Sequence, residues 1–274
     1  MTDKMTDFFE IETIPEKKIA IVYLNRPDKR NSMNWSFWSG LPKMVDAIEA
    51  DPNIRSVVIA ARGKSFTTGL DLLQFGEQFK DILRGSTADT RMKLYDLILT
   101  MQIGFRRILE SDRIFISAVH KHCIGAGLDL MCACDIRLAS SDAVVSLKET
   151  QVAIVADMSS LNLLPSIIGH GNARMMAFTG ADFTADQCYQ MGLFNEVLDD
   201  RDSMMDRAVE LASQIAANPA IVLNGAKKVL NYMYNHTPNQ GLDYVAVWNS
   251  AFLDSEDFRE FMQAFKEKRR PNYK

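Results

Sequence analysis

The chain has 274 residues, which is enough for one large domain or two small ones with a sizeable core. Its apolar fraction of 47% and charged fraction of 24% are typical of a globular protein. The net charge of −4 gives the whole molecule no attraction to nucleic acid or anionic lipid, which leaves only a local basic patch for such contacts.

The chain ends carry no targeting pattern. Residues 1–14 lack both the apolar run of a secretory signal and the Arg-rich amphipathic pattern of a transit peptide. The last residues, PNYK, differ from a peroxisomal tripeptide, and no apolar run approaches the length of a membrane span. These patterns predict a cytoplasmic protein that makes no membrane contact.

The first part of the chain mixes strands with helices. Apolar runs or alternation predict strands at Phe8–Ile14, Lys18–Leu24, Ser56–Ala60, Arg113–His120, Ile136–Ala139 and Val144–Leu147. Helical spacing of apolar residues predicts a helix from the N-cap Asn34 to about Ala50, and others near Met92–Leu109 and Ser159–Ile168. This mixture predicts an α/β core.

The remainder of the chain reads as helix. Predicted helices cover Thr184–Met191, Asp202–Ala217, Pro219–Met233, Leu242–Ser250 and Ser255–Lys268. Asp202 and Ser255 resemble helix caps, and Pro219 suits a first helical turn. We therefore predict a core over residues 1–200 and a helical subdomain over residues 201–274 whose apolar faces need a partner.

The cysteines are candidate metal ligands because His120 and His122 are close to them in sequence. Four cysteines occur, at Cys123, Cys132, Cys134 and Cys188. The spacing C-A-C is wrong for a zinc knuckle, and the chain has no second closely spaced pair. The cysteines are therefore predicted to be buried core thiols, and no metal site is expected.

Two glycine turns are the first candidates for chemistry. The segments Phe66–Asp71 and Ile124–Asp129 each follow a predicted strand and lead into a predicted helix. Backbone N–H groups at such turns can be left without acceptors, and two that converge form an oxyanion hole. The alternative is that each segment is only a turn.

The second turn also half-matches the dinucleotide fingerprint G-x-G-x-x-G, with Glu149 near the expected downstream distance. However, Leu130 stands where the third glycine belongs, and the fingerprint usually follows the first strand of its domain. A dinucleotide site is therefore disfavoured.

Two acids stand out because their surroundings are apolar. Glu149 and Asp157 lie within a stretch dominated by Val, Ala, Ile and Met. Apolar surroundings raise the pKa of a carboxyl group, which suits proton transfer near neutral pH. The alternative for Asp157 is a capping or surface acid, since it precedes the helix predicted near Ser159 and could be its N-cap.

The order of these segments resembles the crotonase (enoyl-CoA hydratase/isomerase) superfamily over nearly the whole chain. The segments that carry the resemblance are NRPDKRNSMN, FTTGLDL, HKHCIGAGLDLMCACDIRLAS, LKETQVAIVAD, LPSIIGHGNARMMAFTG and ADQCYQMGLFNEV. The resemblance implies an α/β fold, a spiral of ββα units followed by a C-terminal helical trimerisation region. It also implies a homotrimer or a dimer of trimers.

The same resemblance implies an acyl-CoA thioester substrate whose oxygen is bound by the N–H groups of Leu70 and Ala126. Most relatives have glycine at the position of Ala126. The substrate-binding residues implied by the matching motifs are Arg30, Thr67, Thr68, Gly69, Leu70, Asp71 and Gly125. Coenzyme A is part of the substrate, and no separate cofactor or metal is implied.

The acids indicate the subfamily. Hydratases resemble this pattern but have glutamate at the positions of Asp129 and Glu149. Asp129, Glu149 and Asp157 together resemble the Δ3,5-Δ2,4-dienoyl-CoA isomerases. That likeness implies that Glu149 removes a proton at C2, Asp157 delivers one at C6, and Asp129 orients or tunes Asp157.

Two alternatives remain at this point. One is an enoyl-CoA hydratase or another acyl-CoA isomerase of the same fold, since one fold hosts many chemistries. The other is an RNA-binding relative, which the net charge of −4 and the retained acids disfavour.

Overall fold

The computed structural model describes residues 2–4 and 8–274. The strands are β1 (Thr2–Lys4), β2 (Phe9–Ile14), β3 (Ile19–Leu24), β4 (Ser56–Ala61), β5 (Ile114–Val119), β6 (His122–Ile124), β7 (Ile136–Ser140), β8 (Val144–Ser146), β9 (Phe183–Thr184) and β10 (Glu196–Leu198). The helices are α1 (Trp35–Ala50), α2 (Leu72–Gln78), α3 (Lys80–Arg84), α4 (Ala88–Glu110), α5 (Ala126–Ala133), α6 (Ser160–Thr179), α7 (Ala185–Gln190), α8 (Arg201–Ala216), α9 (Ala220–Tyr232), α10 (Pro238–Phe252) and α11 (Glu256–Glu267).

The central sheet has seven strands in the order β1-β2-β3-β4-β5-β7-β10. The pairs β1/β2 and β2/β3 are antiparallel, and every later neighbour is parallel. A second sheet has the order β6-β8-β9. Because parallel strands need crossovers, helices cover both faces of the central sheet.

The apolar runs in the central strands follow from this double cover. In β4, Val57 and Ile59 face the main core, whereas Val58 and Ala60 face α8 on the opposite side. Since successive side chains in a strand point to opposite faces, a strand buried on both sides needs apolar residues throughout. The predicted strand at this position is confirmed.

Helix α1 confirms its predicted bounds. The side chain of Asn34 accepts a hydrogen bond from the backbone N–H of Phe37, which gives the helix its N-cap. Helix α4 begins at Ala88, a turn earlier than the predicted Met92. The reason is a local cap, since the hydroxyl of Thr87 accepts a hydrogen bond from Thr90 N–H.

Helix α6 is longer than predicted. The expected end near Ile168 is the end of its first arm, because Gly169 has φ 77° and interrupts the helical backbone. The helix resumes and ends at Thr179, where Gly180 forms a left-handed C-cap with φ 56°.

The C-terminal helices lie close to their predicted positions, with three corrections. Helix α10 begins at Pro238, before the predicted Leu242, because the Thr237 side chain caps it by accepting from Gln240 N–H. Pro219 is the N-cap of α9 and not part of its first turn.

The cap of α8 is Asp200, whose carboxylate accepts a hydrogen bond from Ser203 N–H, whereas Asp202 lies inside the first turn. The Ser255 cap is confirmed by its bond from Phe258 N–H. Helix α8 follows the predicted division at residue 200, yet it covers one face of the central sheet. The division into a core and a helical subdomain at that residue stays a prediction.

Apolar side chains remain exposed on the last three helices, among them Leu230, Leu242, Val247, Phe261 and Phe265. This agrees with the expectation that these faces need a partner. In the described part of the chain, no helix combines the length and apolarity needed to cross a membrane.

Candidate active site

The two glycine turns form one structure. Thr67 lies beside β6, with its N–H donating to the His122 carbonyl at 2.8 Å. Gly69 consequently approaches the second turn so closely that a Cβ there would lie 2.6 Å from the Ile124 carbonyl oxygen and 3.5 Å from the Ala126 nitrogen. Gly69 also has φ 80°. The position therefore requires glycine for two reasons, the close approach of the second turn and the positive φ.

Two backbone donors at this junction are free. Leu70 is fixed by its neighbours, because Met33 accepts from Asp71 N–H at 3.0 Å and donates to the Gly69 carbonyl at 2.7 Å. Ala126 begins α5, where the first N–H groups lack partners within the helix. Within residues 2–4 and 8–274 neither the Leu70 nor the Ala126 N–H has an acceptor. Such a pair can stabilise an oxyanion.

Both residues line a cavity of about 160 Å³. Its apolar lining includes Trp38, Leu72, Met101, Ile124, Val152, Ile154 and Met158. Its charged lining is Asp129, Lys148, Glu149 and Asp157. The three acids singled out from the sequence therefore meet in one apolar cavity beside the two free N–H groups.

Glu149 lies in a short 3-10 segment, Lys148–Val152, and faces the second turn. A Cβ on Gly125 would lie 2.8 Å from Glu149 Oε1, so the absence of a side chain at Gly125 makes room for the carboxyl group. Oε2 is buried and has no hydrogen-bond partner among the described residues. Burial, with smaller effects from Asp129 and Asp157, raises the pKa of Glu149 to about 7. That value suits a general base or acid.

Asp157 lies at the exposed rim of the cavity. Partial burial raises its pKa, and the charge of Asp129 raises it further. Its backbone carbonyl accepts a hydrogen bond from the Gln102 side chain at 2.5 Å, which connects this loop to α4. The side chain of Asp157 is not the cap of α6, so the capping role suggested by its sequence position is wrong.

That cap is supplied by Asp129 instead. Its Oδ1 atom accepts hydrogen bonds from Ser159 N–H at 2.8 Å and Ser160 N–H at 2.5 Å, at the start of α6. Ser159 Oγ in turn donates to the Asp129 carbonyl at 2.7 Å. Burial raises the pKa of Asp129, and the two backbone hydrogen bonds oppose that effect. The geometry favours an orienting role, because the same bonds fix the chain that follows Asp157.

The other predicted substrate contacts divide into two groups. Thr68, Gly69, Leu70, Gly125 and Ala126 line the cavity. Thr67, Asp71 and Arg30 lie outside its lining.

Each of the three outside the lining has another structural place. Thr67 is fully buried and donates to the Asn31 carbonyl at 2.6 Å, which braces the first turn. Asp71 caps α2 and pairs with Arg26 at 2.7 Å. Arg30 is exposed with φ 49°, and its carbonyl accepts from Thr68 N–H at 3.2 Å.

Several lining residues were not predicted. Trp38 on α1 and Met101 on α4 follow the apolar spacing of their helices, which is the spacing of ordinary core residues. Lys148 is also in the lining, and its position beside the candidate acid Glu149 is a usable sequence signal. No sequence pattern indicated the contact of Gln102 with Asp157, because its side chain binds a backbone atom there.

The cysteines are buried, which confirms their prediction as core thiols. Burial raises the pKa of the Cys188 thiol to about 12 and makes it unreactive at neutral pH. Among the residues that the structure describes, no group of three or more His, Cys, Asp or Glu side chains could hold a metal ion.

Comparison with known proteins identifies close relatives. The family model described as enoyl-CoA hydratase/isomerase matches residues 15–274. A Mus musculus protein named Delta(3,5)-Delta(2,4)-dienoyl-CoA isomerase, mitochondrial, is 35% identical over 258 residues, which cover 94% of this chain and 79% of the relative. The Dictyostelium discoideum protein of the same name is 35% identical over 273 residues, covering 99% and 93% of the two chains.

A solved structure shows the same architecture. The enoyl-CoA hydratase of Bacillus anthracis superposes with a TM-score of 0.87 at 25% identity, covering 97% of this chain and 99% of that one. The fold predicted from the resemblance is confirmed by this match. With a family model spanning most of its length and relatives above 30% identity, the chain belongs to the enoyl-CoA hydratase/isomerase family, the crotonase superfamily.

Proposed function

We propose that this chain is an acyl-CoA isomerase that converts a 3,5-dienoyl-CoA into the 2,4-dienoyl-CoA. The observation that carries the proposal is the position of Asp157. It lines the cavity as a third carboxyl group, and the N-cap of α6, the alternative role for Asp157, comes from Asp129. The similarity to proteins named dienoyl-CoA isomerase supports the same chemistry.

The proposed reaction begins at the free N–H groups of Leu70 and Ala126. They donate hydrogen bonds to the thioester oxygen and stabilise the negative charge that develops there. Glu149 removes a proton from C2, and the electron pair shifts along the conjugated chain to form an extended enolate. Asp157 then donates a proton to C6, and the double bonds end at C2 and C4. One proton enters and one leaves, without addition of water.

The raised pKa values favour this exchange. A carboxyl group with a pKa near 7 can accept and release a proton at neutral pH at little cost, and Glu149 has such a value. The pKa of Asp157 is also raised, which makes its protonated form more accessible than in water. Asp129 holds the loop of Asp157 through Ser159 and Ser160.

Three further properties are part of the proposal. Coenzyme A enters only as part of the substrate, and no separate cofactor is used. The exposed apolar side chains of α9, α10 and α11 support a homotrimer or a dimer of trimers. The location is proposed to be cytoplasmic, although the Mus musculus relative is named mitochondrial.

The test uses wild type and Asp157→Asn with a 3,5-dienoyl-CoA and a 2-enoyl-CoA, followed by ultraviolet absorbance of the conjugated acyl groups. The wild type is expected to isomerise the dienoyl substrate, and the variant to lose about 100-fold or more in rate, as for loss of a general acid. Hydration of the 2-enoyl-CoA by both proteins, without isomerisation, would show a hydratase and overturn the proposal.

A further inference from the structure

Lys148 is next to Glu149 in sequence and lines the same cavity, yet its ammonium group is held elsewhere. Its Nζ atom donates to the Gly180 carbonyl at 3.0 Å and to Asp182 Oδ1 at 2.7 Å. Both acceptors follow the C-terminal end of α6. Among the cavity-lining residues in the described chain, Lys148 is the only cation.

The end of α6 is suited to hold this group. The last carbonyls of a helix lack partners within the helix and carry negative partial charge, which attracts cations. Gln151, from the same 3-10 segment as Lys148, also donates to the Gly180 carbonyl, at 2.9 Å. Thr150 donates to the Ala177 carbonyl at 2.5 Å. Three side chains thus anchor the segment that carries Glu149 to one helix end.

The charges that face Glu149 from the surrounding elements are negative. Asp129 lies on α5, and Asp157 lies in the loop before α6. Both act with burial to favour the protonated form of Glu149. A cation within about 4–6 Å would act in the opposite direction and favour the ionised form. Among the described residues that line the cavity, only Lys148 carries a positive charge.

We propose that Asp182 is a positioning residue, which binds the Lys148 ammonium group at the end of α6 and so keeps it from pairing with the Glu149 carboxyl group. The benefit of this role rests on the proposed function. With the ammonium group held away, Glu149 keeps a proton affinity suited to exchange with C2. The ion pair is half-exposed, with side-chain exposures of 32% for Lys148 and 59% for Asp182. Such pairs add little to stability, so Asp182→Ala, which removes both the charge and the oxygen acceptor, is expected to fold.

The experiment measures the titration of the Glu149 carboxyl carbon by ¹³C NMR on protein labelled in glutamate, without substrate. The signal is assigned by its loss in Glu149→Gln. Wild type, Asp182→Ala, Lys148→Met and the double variant Lys148→Met/Asp182→Ala are compared. Asp182→Ala is expected to lower the Glu149 midpoint by about one pH unit, the lower end of the effect of a nearby opposite charge.

The double variant distinguishes an effect of the Lys148 charge from an effect of a structural change at position 182. It lacks the ammonium group, so its Glu149 midpoint is expected to return to the wild-type value, as is that of Lys148→Met. An unchanged midpoint in Asp182→Ala, or a shift that persists in the double variant, would overturn the proposal. Because no substrate is used, this result is independent of whether the wild type isomerises a dienoyl-CoA.

Discussion

At the scale of single residues, Gly125 and Glu149 depend on each other. Gly125 has φ 55°, and its missing side chain leaves the space that Glu149 Oε1 occupies. The sequence marked the turn and the acid separately. Their contact could not be predicted, because it joins residues 24 positions apart through a 3-10 segment that has no clear sequence signal.

Gly125→Ala is expected to reduce kcat by about 100-fold, since a displacement of roughly 1 Å in a reacting group costs that much. The new Cβ would lie 2.8 Å from Glu149 Oε1, and the alanine would have to adopt an unfavourable positive φ. Steady-state isomerisation kinetics provide the measurement. Gly171→Ala is the matched control, because a Cβ there has no neighbour within 4 Å. Equal activity of both variants would contradict the assigned geometry.

At the scale of elements, the sequence predicted where most helices begin but not what caps α6. Local caps such as Asn34 and Ser255 were identified because the acceptor lies next to the helix it serves. The cap of α6 comes from Asp129, 30 residues earlier in the chain. Such a contact depends on the tertiary fold, so local sequence could only suggest the nearer and incorrect Asp157.

Asp129→Ala is expected to lower the free energy of unfolding by about 2–4 kcal/mol, because it leaves two buried N–H groups, on Ser159 and Ser160, without their acceptor. Asp129→Asn retains an oxygen acceptor and should lose clearly less. Urea unfolding followed by circular dichroism measures both. If the two variants were equally stable, the hydrogen bonds to α6 would not be what Asp129 contributes.

At the scale of the whole molecule, the α/β core and the trailing helices were predictable because strands buried on both faces and amphipathic helices leave strong patterns. The identity of the cavity lining was not. Trp38 and Met101 come from distant helices and meet the acids only in the folded chain. The burial of Lys227 on α9 against β5 could not be predicted either, because no local sequence pattern indicates it.

Lys227 anchors α9 to the core. Its ammonium group donates to the Ile108 and Arg113 carbonyls at 3.0 and 2.9 Å, and to Asp135 at 2.9 Å. Lys227→Met is expected to lower the free energy of unfolding by about 3 kcal/mol, as for a broken buried ion pair.

The adjacent Lys228 provides the control for this variant. It pairs with Asp112 at 3.2 Å on the exposed surface, with side-chain exposures of 41% and 50%. Lys228→Met should therefore change stability by less than about 1 kcal/mol. Urea unfolding of both variants decides the matter, and equal losses would show that the buried contacts of Lys227 do not anchor the helix.

The most direct test of the proposed reaction follows deuterium from D₂O into C2 and C6 of a 3,5-dienoyl-CoA by mass spectrometry and NMR. With Asp157→Asn, Glu149 should still exchange the C2 proton while little 2,4-dienoyl-CoA forms. With Glu149→Gln, exchange and product should both be lost. Formation of 2,4-dienoyl-CoA by Asp157→Asn at the wild-type rate would contradict the assignment of two separate acids to the two ends of the shifted double bonds.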